Sequence, residues 1–366
     1  MVGSYLIGAL GLALLMVIHE GGHYFAARAY GMRVTKFSIG FGPTLFKIQP
    51  EDGYYWFATA ADRIKLRLWK HDPKKHGPTI FQVAMIPFLA YVQIAGMNPL
   101  EDIDPEDKGS YANASLLGRV VTIVGGPFAN YAFASVFFFL SLFTGGKISE
   151  STDVNVLEGR PAATEARLQD GDKIIAIDGT PVSDWNKMAE IIAAHPGQKL
   201  AMVVMRGEER VETTVTPAKE DGAGKIGVMR ARVSVSAKDA AILAITMPPQ
   251  VVRDSVIGIG KFITGEAEGR LAGPVGMVKE TAQWAKGGST DLLTFLGILS
   301  AYLGAFNLIP FPALDGGRLM FLSYEAMTRR RPNARIEAHV HAIGLFMILG
   351  LVLYVTIAND ILGGPK

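Results

Sequence analysis

Four long apolar segments divide this chain into stretches of mixed polarity. They cover about residues 2–30, 116–143, 292–309 and 340–357, and each is long enough to cross a bilayer as a helix. The first carries no charged side chain from Val2 to Ile18. The pattern therefore predicts a polytopic α-helical membrane protein with four transmembrane helices.

Residues 33–112, between the first two apolar segments, are rich in β-branched and aromatic residues with glycine and proline breaks. We expect short strands within Phe37 to Gln49 and within Tyr54 to Leu68. The apolar run Phe81 to Val92 contains Pro87 and is too short to span, so we expect it to dip into or lie against the membrane face. Residues 1–150 are thus predicted to form the N-terminal membrane part.

Residues 151–232 have the composition of a small soluble domain. The pattern predicts a strand at Lys173 to Ile177, a helix at Trp185 to Ala194, and strands at Leu200 to Arg206 and Arg210 to Thr216. This string resembles a PDZ domain, an α+β fold whose sheet edge can bind an extended peptide.

Residues 238–289 follow as a predicted amphipathic segment lying on the membrane surface. The apolar stretch Ala240 to Phe262 is expected to be broken by Pro248 and Pro249. Residues 290–366 form the predicted C-terminal membrane part.

Charge predicts the orientation of the chain. The segment 28–119 and the short loop 318–335 are rich in Lys and Arg, so both should be cytoplasmic, which places residues 144–291 and both termini on the opposite side. The net charge of +2 and the absence of a long basic run argue against a nucleic-acid partner.

A candidate metal site lies where the first apolar segment ends, at His19-Glu20-Gly21-Gly22-His23. Histidines four apart project from one helix face and can bind one metal ion, and Glu20 is close enough to act as a base on water. The chain has no cysteine, so any metal must be held by nitrogen and oxygen. Ionisable side chains at membrane depth are costly, which favours a functional site.

The expected third ligand is Asp315, which follows the third apolar segment and should reach the same membrane depth as the histidines. The alternative is a buried polar network that only holds two helices in register. Gly21 and Gly22 are unfavourable inside a helix, so we expect a neighbouring segment or a substrate to approach the backbone there.

These motifs resemble the site-2 protease family of intramembrane zinc metalloproteases, in its bacterial branch with a periplasmic PDZ domain. The resemblance rests on His19 to His23, Gly126 to Asn130, the PDZ-like region, Gly273-Pro274-Val275-Gly276 and Asn307 to Gly317. It implies that His19, His23 and Asp315 bind one Zn²⁺ per chain and that Glu20 is the catalytic base. It also implies that Asn130 and Asn307 hold the substrate near the metal.

The resemblance further implies a multi-pass protein of the bacterial inner membrane that cuts single-span membrane proteins, such as anti-sigma factors, after a site-1 protease has trimmed them. The PDZ domain would filter substrates by size or bind the new C-terminus. A second hypothesis is a catalytically inactive, membrane-anchored PDZ scaffold with a structural metal site. The two differ at Glu20, which a structural site does not need. A transporter is a third hypothesis, but no internal repeat supports it.

Overall fold

The computed structural model describes residues 2–220, 222–266 and 273–362, and the chain forms two compact units. The first unit consists of Met1–Ser141 and Ala241–Lys366, and the second of Leu142–Ala240. The long elements of the first unit are the helices α1 (Val2–Ala29), α3 (Leu116–Gly145), α6 (Ala237–Ile263), α7 (Pro274–Lys286), α8 (Ser289–Asn307), α9 (Asp315–Thr328) and α10 (Ala334–Val355), and the strands β1 (Val34–Glu51), β2 (Tyr54–Thr59), β3 (Lys65–Lys70) and β4 (Ile80–Ile94). The short helix α2 (Pro73–His76) precedes β4.

Within the described residues, four helices are long and apolar enough to cross a membrane, and each overlaps one of the four predicted segments. They are α1, α3, α8 and α10, the last extended by a π-helical turn at Thr356–Ile361. The first ends at Ala29 and the third at Asn307, one and two residues before the expected ends. The helix α10 begins six residues before the apolar run expected from residue 340. The Asn333 side chain caps this helix by accepting bonds from the backbone N–H groups of Arg335 and Ile336, so a first turn that contains Arg335 and Glu337 forms ahead of the apolar run.

The region between α1 and α3 contains a four-stranded sheet in the order β3, β2, β1, β4. The expectation of short strands is wrong for β1, which runs for 18 residues and bends where Gly40 and Gly42 adopt φ of +94° and +92°. Pro87 does not prevent Ile80–Ile94 from forming a strand, because β4 lies at the sheet edge, where a missing N–H donor is tolerated. Contact of this segment with the membrane face stays a prediction.

Glycines bring the backbones of the membrane helices close to α3. A Cβ on Gly22 of α1 would overlap the Gly125 carbonyl of α3, and one on Gly304 of α8 would lie 2.9 Å from the Pro127 carbonyl oxygen. Ser300 of α8 also donates a 2.8 Å hydrogen bond to the Asn130 carbonyl. The helices α1 and α8 are therefore both held directly against α3.

The predicted break at Pro248 and Pro249 is wrong, because α6 continues through both prolines. Its buried Ala244 packs in one cluster with Phe138 of α3 and Ala301 of α8, and Met247 and Val251 extend this contact along the same helix. Packing on both sides of the prolines compensates for the two missing N–H donors.

The second unit has a sheet of four strands, β7 (Lys173–Ile177), β8 (Thr180–Pro181), β9 (Leu200–Arg206) and β10 (Glu209–Val215), in the order β10, β9, β7, β8. The helix α5 (Trp185–Ala194) packs on its core through Met188 and Ile192. The long strands and the helix lie within a residue of the predicted positions. The remaining short elements are β5 (Lys147–Ile148), β6 (Val154–Val156), α4 (Pro161–Thr164), β11 (Ala218–Glu220), β12 (Ala223–Lys225), β13 (Val228–Arg230) and β14 (Arg232–Val233).

Candidate metal centre

The two histidines of the sequence motif lie one turn apart on α1 and face the same way. Both side chains are buried, and their rings meet edge to face with centroids 4.8 Å apart. The Nε2 atoms of His19 and His23 are 3.2 Å from each other. The spacing expected from a four-residue interval on a helix is therefore present.

Asp315, the first residue of α9, lies against this pair. Its Oδ2 atom is 3.2 Å from His19 Nε2 and 3.3 Å from His23 Nε2. The structure thus brings together the three residues that the sequence nominated as metal ligands, although they come from helices nearly 300 residues apart.

The second nitrogen of each ring is held by α3. His23 Nδ1 lies 2.8 Å from the Thr122 carbonyl oxygen, so it carries a proton and donates it to this acceptor. His19 Nδ1 lies 3.0 Å from the side-chain amide nitrogen of Asn130, whose Oδ1 is buried and has no partner among the described residues. Rotating the amide by half a turn lets Oδ1 accept a proton from His19 Nδ1 and satisfies both groups. Both Nε2 atoms are then unprotonated acceptors.

The three convergent acceptors fit a zinc ion. With bonds of about 2.0–2.1 Å, two ligands of a tetrahedral zinc are about 3.3 Å apart, which matches the three separations here. Asp315 Oδ2 is buried and has no hydrogen-bond donor among the described residues. Three acceptor atoms at such short range repel one another unless a cation lies between them, and nitrogen and carboxylate oxygen are donors that zinc accepts.

Thr122 is a contact of the site that the sequence analysis missed, since only its backbone carbonyl takes part. Its position could have been found from the spacing, because Thr122, Gly126 and Asn130 recur every four residues and share one face of α3. A Cβ on Gly126 would overlap the imidazole of His23. Gly126 therefore leaves room for the His23 ring, and Asn130 bonds the His19 ring.

Glu20, beside His19 in the motif, is partly buried, and the backbone of Val92 of β4 lies near its carboxylate. The edge strand of the sheet thus reaches the predicted catalytic carboxylate. Asn307 is the last residue of α8, and its side chain donates a 2.8 Å hydrogen bond to the Leu303 carbonyl of its own helix. In the structure, Asn130 contacts a histidine of the motif, whereas Asn307 bonds a carbonyl of its own helix.

An ion pair fixes α9, the helix that begins with Asp315. Arg119 of α3 donates hydrogen bonds of 2.9 and 2.5 Å to the two carboxylate oxygens of Glu325. These bonds from the Arg119 guanidinium hold the pKa of Glu325 below its usual range. The helix α3 therefore contacts both elements that form the centre: it bonds both histidines of α1 and anchors α9.

Comparison with known proteins agrees with this geometry. The sequence profile of Peptidase family M50 matches residues 7–61 and 63–351. The zinc metalloprotease RasP of Geobacillus kaustophilus (strain HTA426) is 30% identical over 404 residues, which cover 95% of each chain.

Two solved PDZ domains resemble a smaller part of the chain. The PDZ domain of the SdrC-like protein from Listeria monocytogenes covers 23% of this chain and 90% of its own, with 20% identity and a TM-score of 0.21. That of the SdrC-like protein from Listeria innocua covers 23% and 97%, with 23% identity and the same TM-score.

A profile match over nearly the whole chain and a relative that matches over 95% of both chains show the family. The relative is named for zinc and for proteolysis, and the residues of the centre suit zinc. The chain belongs to peptidase family M50 and is a membrane zinc metalloprotease of the site-2 protease type.

Proposed function

We propose that this protease cuts single-span membrane proteins within or near their transmembrane segment, as the second step of regulated intramembrane proteolysis. The observation that carries the proposal is the convergence of His19, His23 and Asp315 beside Glu20, with both histidines on a helix apolar enough to lie in a membrane. Ionisable groups are placed at such depth when they serve a function.

In this proposal His19, His23 and Asp315 hold one zinc ion per chain. Zinc bound there supplies Lewis acidity, which makes a water acidic near pH 7 and polarises a peptide carbonyl. Glu20 takes the proton from the attacking water and passes it to the leaving amine. Thr122 and Asn130 keep the histidine rings oriented through these steps.

The substrate must unwind before it is cut, because the peptide bonds of a helix are shielded by their own hydrogen bonds. We propose that the unwound segment pairs with the edge strand β4, which lies at the end of the sheet and passes near Glu20 at Val92. Asn307 keeps its amide oxygen and a second N–H for the substrate backbone. Any contact between Asn130 and the substrate would come in addition to the contact of Asn130 with His19.

We propose that the protein lies in the bacterial inner membrane, as its family resemblance implies, and the charge pattern supports an orientation with the second unit and both termini on the periplasmic side. We propose that this unit is a PDZ domain that excludes substrates whose outer domain has not been trimmed by a site-1 protease. A cavity of about 220 Å³, lined by Met188 and Ile192 of α5 and by Ile226, also offers a place for the C-terminus of a trimmed peptide.

The test compares the full-length protein with its Glu20→Gln variant in proteoliposomes that contain a tagged single-span substrate without its outer domain. The wild type should cut the substrate, and the variant should leave it intact while binding zinc as the wild type does. Equal cleavage by both proteins would refute the role of Glu20.

Glu158→Gln is the matched control, because Glu158 is an exposed glutamate of the second unit. It should cut the substrate at the rate of the wild type. A substrate that is cut only outside its transmembrane region would contradict the intramembrane part of the proposal.

A further inference from the structure

The turn that leads into Asp315 is built tightly under the first turn of α9. The Phe311 N–H donates a 2.7 Å hydrogen bond to the Ile309 carbonyl, and the Leu314 N–H donates a 3.2 Å bond to the Phe311 carbonyl. A Cβ on Gly316 would overlap the Ile309 carbonyl. The position of Asp315 therefore depends on the conformation of this turn.

Ala313, two residues before Asp315, adopts a left-handed conformation with φ of +73°. This conformation is unfavourable for alanine, so contacts from the surroundings must hold it. Its backbone N–H donates a 3.0 Å hydrogen bond to Nδ1 of His341 in α10. This hydrogen bond reaches the strained residue from another helix.

The surroundings of His341 fix its ring in place. The ring packs against Phe321 of α9 with centroids 5.5 Å apart, and its Nε2 atom is buried with no hydrogen-bond partner among the described residues. One turn further along α10, a Cβ on Gly344 would overlap Pro312, so the turn lies directly on the helix. Because Nδ1 accepts a hydrogen bond, the ring is neutral and carries its proton on Nε2.

We propose that His341 is a positioning residue for the metal centre. By accepting the Ala313 N–H, it holds the left-handed turn that aims the Asp315 carboxylate at His19 and His23. The inference rests on the proposed role of Asp315 as a zinc ligand. It assigns a task to a histidine that the sequence motif does not include and that binds no metal itself.

The test measures zinc affinity of the full-length protein in detergent by competition with a chelator, together with the thermal stability of the metal-free protein. His341→Ala should weaken zinc binding at least 10-fold, in the range found when groups that orient metal ligands are removed. The matched control is His339→Ala on the same helix, because His339 bonds only the Arg335 carbonyl of its own helix in the described structure. Equal zinc affinity in the two variants would overturn the proposal.

Two conservative variants keep the test decisive if His341→Ala does not fold. Asparagine can place its amide oxygen near the position of Nδ1, whereas glutamine places its amide further out. His341→Asn should therefore bind zinc nearly as tightly as the wild type, and His341→Gln about 10-fold more weakly. Equal affinities of these two variants would show that the bond to Ala313 does not position the ligand.

Asp315→Ala separates a failure of this inference from a failure of the proposed function. If Asp315→Ala binds zinc as the wild type does, the ligand assignment itself is wrong. If zinc affinity falls in Asp315→Ala and is unchanged in His341→Ala, only the positioning role is refuted.

Discussion

At the scale of single residues, the centre depends on which nitrogen of each histidine carries the proton. The bonds from His23 to the Thr122 carbonyl and from His19 to Asn130 leave both Nε2 atoms free to bind a cation. One of these partners is a backbone group that substitution cannot remove, and the other is a side chain. Asn130 is therefore the place where the orientation of a ligand can be tested.

We expect Asn130→Ala to weaken zinc binding 10- to 100-fold, because the Nδ1–H of His19 loses its buried acceptor. Asn307→Ala is the matched control, since its amide bonds only the Leu303 carbonyl in the described structure. It should bind zinc as tightly as the wild type does and should instead raise KM if Asn307 holds the substrate. Chelator competition measures the first effect and cleavage kinetics the second. Weaker zinc binding in Asn307→Ala would mean that the two asparagines have been assigned the wrong roles.

The two glycines inside the histidine motif should respond in opposite ways to alanine. A Cβ on Gly22 would overlap the Gly125 carbonyl, whereas nothing lies within 4 Å of a Cβ on Gly21. Gly22→Ala should therefore separate α1 from α3 and lower the melting temperature. Gly21→Ala should leave the melting temperature unchanged or raise it, because alanine is more favourable than glycine inside a helix by up to about 1 kcal/mol. Thermal unfolding in detergent measures both, and equal melting temperatures would contradict the contact between the helices.

Much of the site could be read from the sequence at this scale, because helix periodicity places His19 and His23 on one face and membrane depth makes them costly. Thr122 could not be found from residue type, since its contribution is a backbone carbonyl. The close approach expected at the glycine pair is confirmed for Gly22, which lies against α3. Gly21 shows that a motif alone does not say which of two neighbouring glycines is needed.

At the scale of elements, the buried pair Arg119–Glu325 connects α3 to α9. Removing one partner leaves an uncompensated buried charge and costs about 3–5 kcal/mol, whereas replacing both with apolar residues costs far less. Glu325→Leu should therefore destabilise the protein more than the double variant Arg119→Met with Glu325→Leu. Chemical unfolding of the three proteins compares them. A double variant less stable than the single variant would show that the pair does not hold α9.

The same pair predicts a dependence on acid. The pKa of Glu325 in the folded protein lies below its ordinary value because of the bonds from Arg119, so its contribution to stability is present above the unfolded pKa of about 4.3 and is lost as the pH falls through the lowered folded value. The melting temperature of the wild type should fall more steeply below about pH 5 than that of Glu325→Gln. Parallel curves would contradict this account.

Element boundaries were harder to predict than element types. The apolar runs predict four membrane helices, but α10 begins earlier, with a first turn that contains the charged Arg335 and Glu337 and is capped by Asn333. From the local sequence alone, the prolines of α6 indicate a break in the helix. Packing of Ala244 and Val251 on neighbouring helices nevertheless keeps the helix continuous. The first difference arises from a local cap, and the second from contacts distant in sequence.

At the scale of the whole molecule, the second unit is an insertion with adjacent ends. Lys147 of β5 is the strand partner of Val233 of β14, so the two points where the chain enters and leaves are about 5 Å apart. Replacing residues 149–231 with a short Gly-Ser turn should therefore leave the membrane part folded. This geometry should allow the proposed substrate filter, the second unit, to be removed without disturbing the protease centre in the first unit.

We expect the shortened protein to cut a substrate that still carries its outer domain, which the full-length protein should leave intact. The rate on a trimmed substrate should stay within a few-fold of the wild-type rate. Cleavage assays in proteoliposomes measure both. A loss of cleavage of the trimmed substrate would show instead that the unit is a dock for its C-terminus.

The central claim is that two distant parts of the chain bind one zinc ion through two imidazoles and one carboxylate. X-ray absorption spectroscopy at the zinc edge of the purified full-length protein tests it most directly. The account predicts nitrogen and oxygen ligands at about 2.0–2.1 Å, the scattering pattern of two imidazole rings, and a changed spectrum with less zinc in Asp315→Ala. A spectrum without imidazole scattering, or one that is unaltered in Asp315→Ala, would contradict it.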